Sequence, residues 1–298
     1  MDSAAIVTLT IGLAGLVGIS LGLLSGGGSI LLVPILTYVA GMPAREAMAA
    51  SLVVIGVTSL STLPAHTRQG NVRWGIGAIF GGSGVAGAFA GGLAGGAVPA
   101  TILMVGFAAM MLAAGTAMLK GRRVATDQFR RERSVWWSVV AGLLVGFLSG
   151  LVGAGGGFLL VPALTLLSRL PLSSAVGTSL LVIFMNALAG FSGYIGSLTV
   201  PWGVIAPVSI AAVIGSLLGA RLVNRIASVK LRRGFGYFVL SVAALVLVQE
   251  VPYPFGAVGA VLIVLGLVVQ LICAKLSRST IGCPWRQRGH RLSPKLGQ

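Results

Sequence analysis

The chain of 298 residues repeats a large part of itself at an offset of 128 residues. Gly27-Gly28-Ser29-Ile30-Leu31-Leu32-Val33-Pro34-Ile35-Leu36-Thr37 returns as Gly155-Gly156-Gly157-Phe158-Leu159-Leu160-Val161-Pro162-Ala163-Leu164-Thr165, and the register holds without a gap. Between Gly26 and Ile55, 14 of 30 positions carry the same residue 128 places later, among them Pro43 with Pro171, Ala47 with Ala175 and Ser51 with Ser179. Trp74-Gly75 likewise matches Trp202-Gly203. Whatever the chain folds into is therefore built from two like halves, each interrupted by a glycine cluster.

The surroundings of the repeat decide the solvent. With 56% hydrophobic residues, 9% charged residues and a mean hydropathy of +1.01, the chain cannot cover itself with a water-soluble surface. A helical span needs about 20 apolar residues. Candidate spans run over Ala4 to Leu24, Ala47 to Ala65, Trp74 to Ala94, Ala100 to Leu119, Val135 to Val152, Ser173 to Ile195, Trp202 to Ala220, Gly234 to Val248 and Phe255 to Ala274. The repeated segments Ser29 to Ala40 and Phe158 to Ser168 are too short to cross and read as half-helices or re-entrant pieces. The first segment follows Asp2 and has no basic n-region, so it reads as a retained helix and not as a signal peptide.

Basic residues give the orientation. Lys120 to Arg133 holds six, Arg221 to Arg233 five and Lys275 to Lys295 six; Arg68 and Arg73 share a loop, and Arg45 and Arg169 stand alone. If the three richest segments face the cytoplasm, only Arg45 lies outside, a strong positive-inside bias. The same count places the Gly41 to Pro43 turn outside and its copy, Arg169 to Pro171, inside, so the two halves are expected to be inverted. The expected fold is an all-α polytopic membrane protein of about nine spans, with two inverted-topology repeats carrying glycine-broken short helices or re-entrant segments. Its parts are a first repeat (1–119), a cytoplasmic basic linker (120–134), a second, inverted repeat (135–249), an additional helix (250–275) and a basic cytoplasmic tail (276–298). Two such halves are the sequence pattern of secondary transporters, whose substrate sites lie between the repeats.

The chemistry available inside the membrane is narrow. The five acids, Asp2, Glu46, Asp127, Glu132 and Glu250, all sit at a terminus, a loop or a helix end. A desolvated cation wants a counter-charge within the bundle, which this chain lacks mid-span. An anion can instead be held by backbone N–H groups at helix starts. Gly26, Gly27, Gly28 and Ser29 in one half, and Gly155, Gly156 and Gly157 in the other, are positioned to offer such groups, and glycine lets a ligand reach the backbone. Ser51 and Ser179, at equivalent positions, are the next candidates, followed by Thr178 and by Asn186, a mid-span amide whose repeat position is Thr58. For Thr58, Ser59, Ser61 and Thr62 the plainer reading is bonding back to their own helix. Gly84, Ala88, Gly92 and Gly96 read as helix packing. His66, beside Arg68 at an expected cytoplasmic helix end, reads as an interfacial histidine with ordinary solvation, Arg45 and Arg169 as snorkelling side chains, and Trp74, Trp202, Trp136 and Trp137 as interfacial anchors. Cys273 and Cys283 suggest neither a disulfide nor a metal site, and no P-loop indicates ATP coupling. No cofactor is expected.

The paired motifs Leu24-Ser25-Gly26-Gly27-Gly28-Ser29-Ile30-Leu31-Leu32-Val33-Pro34 and Val152-Gly153-Ala154-Gly155-Gly156-Gly157-Phe158-Leu159-Leu160-Val161-Pro162 resemble the TauE/SafE sulfite exporter-like family of bacterial membrane proteins, over roughly Leu9 to Ala274. The resemblance implies a transporter of sulfur-containing anions or organosulfonates such as sulfite, sulfoacetate or thiosulfate. The sequence departs from internal symmetry at Ser29, where the second copy has Gly157. The partners this implies are a small anionic sulfur compound and the lipid bilayer, without nucleic acid, and a homodimer is left open. The expected location is the bacterial inner membrane, with the N-terminus outside and the C-terminus cytoplasmic. Against this reading stand a passive anion channel, a transporter of another small anion, and an intramembrane hydrolase, for which nothing mid-span supplies an acid or base beside a nucleophile.

Overall fold

The computed structural model describes residues 3–24, 27–120, 135–167, 170–197, 201–222 and 228–250, and every regular element among them is helical. The first half contains α1 (Ser3–Leu24), a 3-10 turn (Gly27–Leu31), α2 (Leu32–Pro34), a π turn (Ile35–Val39), α3 (Ala44–Arg68), α4 (Trp74–Ala97) and α5 (Ala100–Lys120). The second contains α6 (Val135–Val152), α7 (Gly157–Leu167), α8 (Leu172–Tyr194), α9 (Trp202–Leu222) and α10 (Ser228–Glu250). Among the described residues, five helices are long and apolar enough to cross a membrane, and shorter apolar helices lie at Gly28–Val39, Ala100–Thr116, Trp136–Val152 and Gly236–Glu250. The expected span Phe255 to Ala274 lies outside the described residues. α3, with 25 residues, is about 37 Å long at 1.5 Å per residue, more than a hydrocarbon core of about 30 Å.

Equivalent residues do equivalent work at the helix starts. Pro43 and Pro171 both sit in extended backbone (ψ 138° and 147°) just ahead of α3 and α8, where a residue that cannot continue a preceding helix and has a preset φ begins a new one. Their carbonyls accept the N–H groups of Ala47 and Ala175. Trp74 and Trp202 open α4 and α9 with more than half their surface exposed. Exposed leucines and isoleucines along the outer faces, such as Leu16, Ile102 and Ile210, suit lipid as their solvent.

Packing crosses between the halves. α1 lies on α9, with Gly18 against Ala212, Gly22 against Ser216 and Gly219 against Ile19, so the two run parallel. α4 lies on α6 in the same way, Gly84 against Gly146, Ala88 against Gly150 and Gly91 against Phe147. At Gly18, Gly22, Gly87, Gly91, Gly146 and Gly150 an added methyl would overlap the facing backbone. These glycines are packing devices: without side chains the backbones come close enough for dispersion contacts along the whole pair. The small-residue stripe Gly84, Ala88 and Gly92 thus packs as its spacing predicts, Gly92 meeting Gly190 of α8. In α3 and α8 the order reverses: Met48 meets Tyr194, Leu52 meets Gly190, and Gly56 meets Ala187, so these two helices run antiparallel. α5 packs on α10.

Candidate functional site

The second glycine cluster is an unwound break. α6 stops at Val152, and Gly153, Gly155 and Gly156 adopt φ of +70°, +65° and +65°. Those left-handed values cost an L side chain about 1–2 kcal/mol each, which is why glycine stands there. All of residues 152–157 are buried. The N–H of Gly153 still bonds the Ser149 carbonyl, and the Gly156 carbonyl starts α7 by accepting from Leu159 and Leu160. Among the described residues, the N–H groups of Ala154, Gly155 and Gly156 meet no backbone acceptor. Gly153 rests on Met48, and Gly155 lies against Ile55, near the midpoint of α3. The break therefore sits at mid-height of the bundle, with free N–H groups and the start of an 11-residue helix.

The first cluster is built differently. Gly26 lies outside the described residues, and Gly27, Gly28 and Ser29 form the opening of a 3-10 turn with no positive φ. Gly28 is pressed onto Ser20 and Leu21 of α1, and Ser29 is buried. The segment then passes from 3-10 through α to π winding by Val39. This turn touches α7, so the two interrupted segments are neighbours. The asymmetry falls on identical residues: Gly155 and Gly156 are left-handed, whereas Gly27 and Gly28, their repeat equivalents, are not.

The polar candidates divide. Ser51 is fully buried, and its hydroxyl lies 2.7 Å from the Met48 carbonyl oxygen and 2.5 Å from that of Gly153, tying α3 to the break. Ser179 is also buried and donates to the Val176 carbonyl of its own helix. Thr178 accepts the Arg73 N–H at 3.0 Å, so its oxygen holds the start of α4. Asn186 is fully buried against Gly84, and neither amide atom has a hydrogen-bond partner among the described residues. Thr58, Ser61 and Thr62 bond back to the carbonyls of Val54, Val57 and Thr58. Arg45, read as a snorkelling side chain, donates through Nε and Nη2 to the Val98 carbonyl at the end of α4.

One feature escaped the sequence. A narrow cleft with room for about one water, open at one side, is lined by Leu21, Gly22, Thr58, Ser59, Thr62, His66 and Leu180. It adjoins the first break, because Leu21 is also the seat of Gly28. Ser59 is 1% exposed, and among the described residues neither its hydroxyl nor Nδ1 of His66 has a hydrogen-bond partner. Residues 58, 59, 62 and 66 share one face of α3, a spacing visible in the sequence but indistinguishable there from helical back-bonding.

A model of the family described as "Sulfite exporter TauE/SafE" matches residues 10–247. The chain belongs to the TauE/SafE family. It resembles a probable membrane transporter protein of Xylella fastidiosa (strain Temecula1 / ATCC 700964), 36% identical over 245 residues that cover 80% of this chain and 94% of the relative. Probable membrane transporter protein YdhB of Bacillus subtilis (strain 168) is 29% identical over 221 residues, 73% of this chain and 90% of its own. No solved structure matches the chain. As a TauE/SafE protein it is a multi-span membrane transporter embedded in the lipid bilayer, and the glycine breaks and the pocket beside them lie within the matched region.

Proposed function

We propose that this TauE/SafE protein is a secondary transporter, acting as an exporter, that moves a small sulfur-containing oxyanion or organosulfonate by alternating access between two inverted halves. The observation that carries this reading is the antiparallel packing of α3 on α8. These are repeat-equivalent helices, and equivalent helices pointing opposite ways are what a two-fold axis in the membrane plane requires. The crossed pairs support it: α1 with α9 and α6 with α4 are the same pair under the 128-residue offset, and both are parallel. Arg68, Arg73 and Arg221 then stand at one end of the bundle and Arg45 at the other, so the Arg68 end is assigned to the cytoplasm.

The anion is held by the backbone of Gly155 to Gly157, by the 3-10 turn from Gly27, and by Ser51, Ser179 and Asn186. The acids among the described residues, Glu46 and Glu250, stand in the first turn of α3 and at the end of α10. Free N–H groups in a dry, mid-height break are already oriented, so they replace water around a sulfo group without rearranging. Thr178 is not assigned a ligand role, since it lies beside Arg73 and Gly77 at the start of α4 and not at mid-height. The test is thermal stabilisation of the purified protein by sulfite, thiosulfate and sulfoacetate against sulfate and chloride. A ligand at 100 times its Kd contributes about 2.7 kcal/mol to the folded state. Stabilisation by none of the sulfur anions overturns the substrate assignment.

A further inference from the structure

The pocket on α3 has a counterpart that the repeat predicts and the structure has shut. Adding 128 to Thr58, Ser59, Thr62 and His66 gives Asn186, Ala187, Gly190 and Tyr194, and adding it to Leu21 and Gly22 gives Ser149 and Gly150. In the first half these positions line an open pocket with an orphaned Ser59 hydroxyl and an orphaned His66 Nδ1. In the second half Gly190 is packed on Gly150 and Leu52. Yet that closed region also holds orphaned polar atoms, the Ser149 hydroxyl and both amide atoms of Asn186, each residue fully buried. A buried amide without partners is destabilising in a packed bundle. Its presence at the repeat position of a polar pocket calls for an explanation.

Tyr194 ties the helices together at one end of this region. Fully buried, it donates its hydroxyl to the Leu151 carbonyl at 2.7 Å, lies 3.9 Å from Met48 Sδ, and presses on Gly95, where a methyl would overlap its hydroxyl. It thereby joins α3, α4, α6 and α8 two turns beyond Asn186. The residue at its repeat position, His66, does none of this and stands at the pocket wall. Pro64 interrupts the α3 hydrogen-bond ladder between Thr62 and His66, and no proline occupies the matching place in α8. Resting on the transporter reading above, we propose that the anion is bound by two repeat-related polar half-sites, Ser59 with His66 and Ser149 with Asn186, and that Tyr194 is the gate that covers the second while the first is open. The ligand class is a small oxyanion: hydroxyl, amide and imidazole groups offer neutral donors, and Arg68 and Arg73 flank the His66 end of α3.

Single cysteines test this in the full-length purified chain with Cys273→Ser and Cys283→Ser, using two methanethiosulfonate reagents, one bearing a sulfonate and one a quaternary ammonium. After correction for their rates with a free thiol, Ser59→Cys reacts about tenfold faster with the sulfonate reagent, the scale of electrostatic focusing, and methanesulfonate slows it. Equal rates for the two reagents, or no reaction, overturn the anion half-site. Ser149→Cys is silent beside Tyr194 and becomes reactive on adding Tyr194→Phe or, more strongly, Tyr194→Ala, with Tyr194→Phe serving where the alanine variant fails to elute as a folded species. Reactivity of Ser149→Cys that is the same with and without Tyr194 overturns the gate. Protection of Ser59→Cys by phosphate or chloride and by no sulfur anion keeps the half-site and refutes the sulfur substrate, so the two failures are distinct.

Discussion

Gly155→Ala isolates the unwound break from every other property of the chain. The native φ of +65° costs alanine about 1–2 kcal/mol. The new methyl would stand 2.6 Å from Ile55 Cγ2 and 3.2 Å from its Cδ1. Both atoms belong to a fully packed side chain at the middle of α3, so overpacking adds about 1–3 kcal/mol. The sum, about 2–5 kcal/mol, lowers the ratio of folded to unfolded protein at least roughly 30-fold. Titration from mild into denaturing detergent, followed by circular dichroism, measures it. Were α6 and α7 one continuous helix, the same substitution would stabilise by about 0.5–1 kcal/mol, so the sign of the change decides. Gly82→Ala is the control: its added methyl meets nothing within 4 Å on a helical stretch of α4, and a gain of up to about 1 kcal/mol is expected. Adding Ile55→Ala removes the obstructing methyls, so the double variant must lose less than the two singles summed. A stabilised or unchanged Gly155→Ala refutes the break.

Asn186→Leu keeps the branching of the side chain and removes two orphaned polar atoms, so stability in detergent should be unchanged or higher while oxyanion binding weakens; loss of both would mean that the amide is structural. Gly22→Ala drives a methyl into the Ser216 carbonyl and should destabilise by about 1–3 kcal/mol by the same titration. Thr178→Val leaves the Arg73 N–H without its acceptor and should cost about 1 kcal/mol with little change in anion affinity, and a large affinity loss would return Thr178 to the ligand shell.

Much of the fold is written in the sequence because its signals are local. The short segments read at Ser29 to Ala40 and Phe158 to Ser168 are found as the winding from Gly27 to Val39 and as α7, and α6 has the boundaries of its apolar run. The apolar run Gly234 to Val248 lies within the longer helix Ser228–Glu250. Pairing of α1 with α9 and of α4 with α6 was not legible, since small residues announce a close neighbour without saying which one. The Ser59 pocket was hidden for a related reason. Thr58, Ser61 and Thr62 do bond to their own helix, and only the facing helices reveal that Ser59 does not. Nor did the twin glycine motifs disclose that one copy takes left-handed dihedrals and the other a 3-10 turn.

The central claim is that one anion site is exposed alternately by two oppositely oriented halves, and counterflow measures this most directly. Proteoliposomes loaded with excess unlabelled sulfite are diluted into a trace of sulfur-35 sulfite, with no imposed ion gradient. The account predicts transient accumulation of label above its equilibrium level, saturating with external sulfite and diminished in Asn186→Leu. Label that only equilibrates, at a rate linear in concentration, would show a passive pore and contradict it.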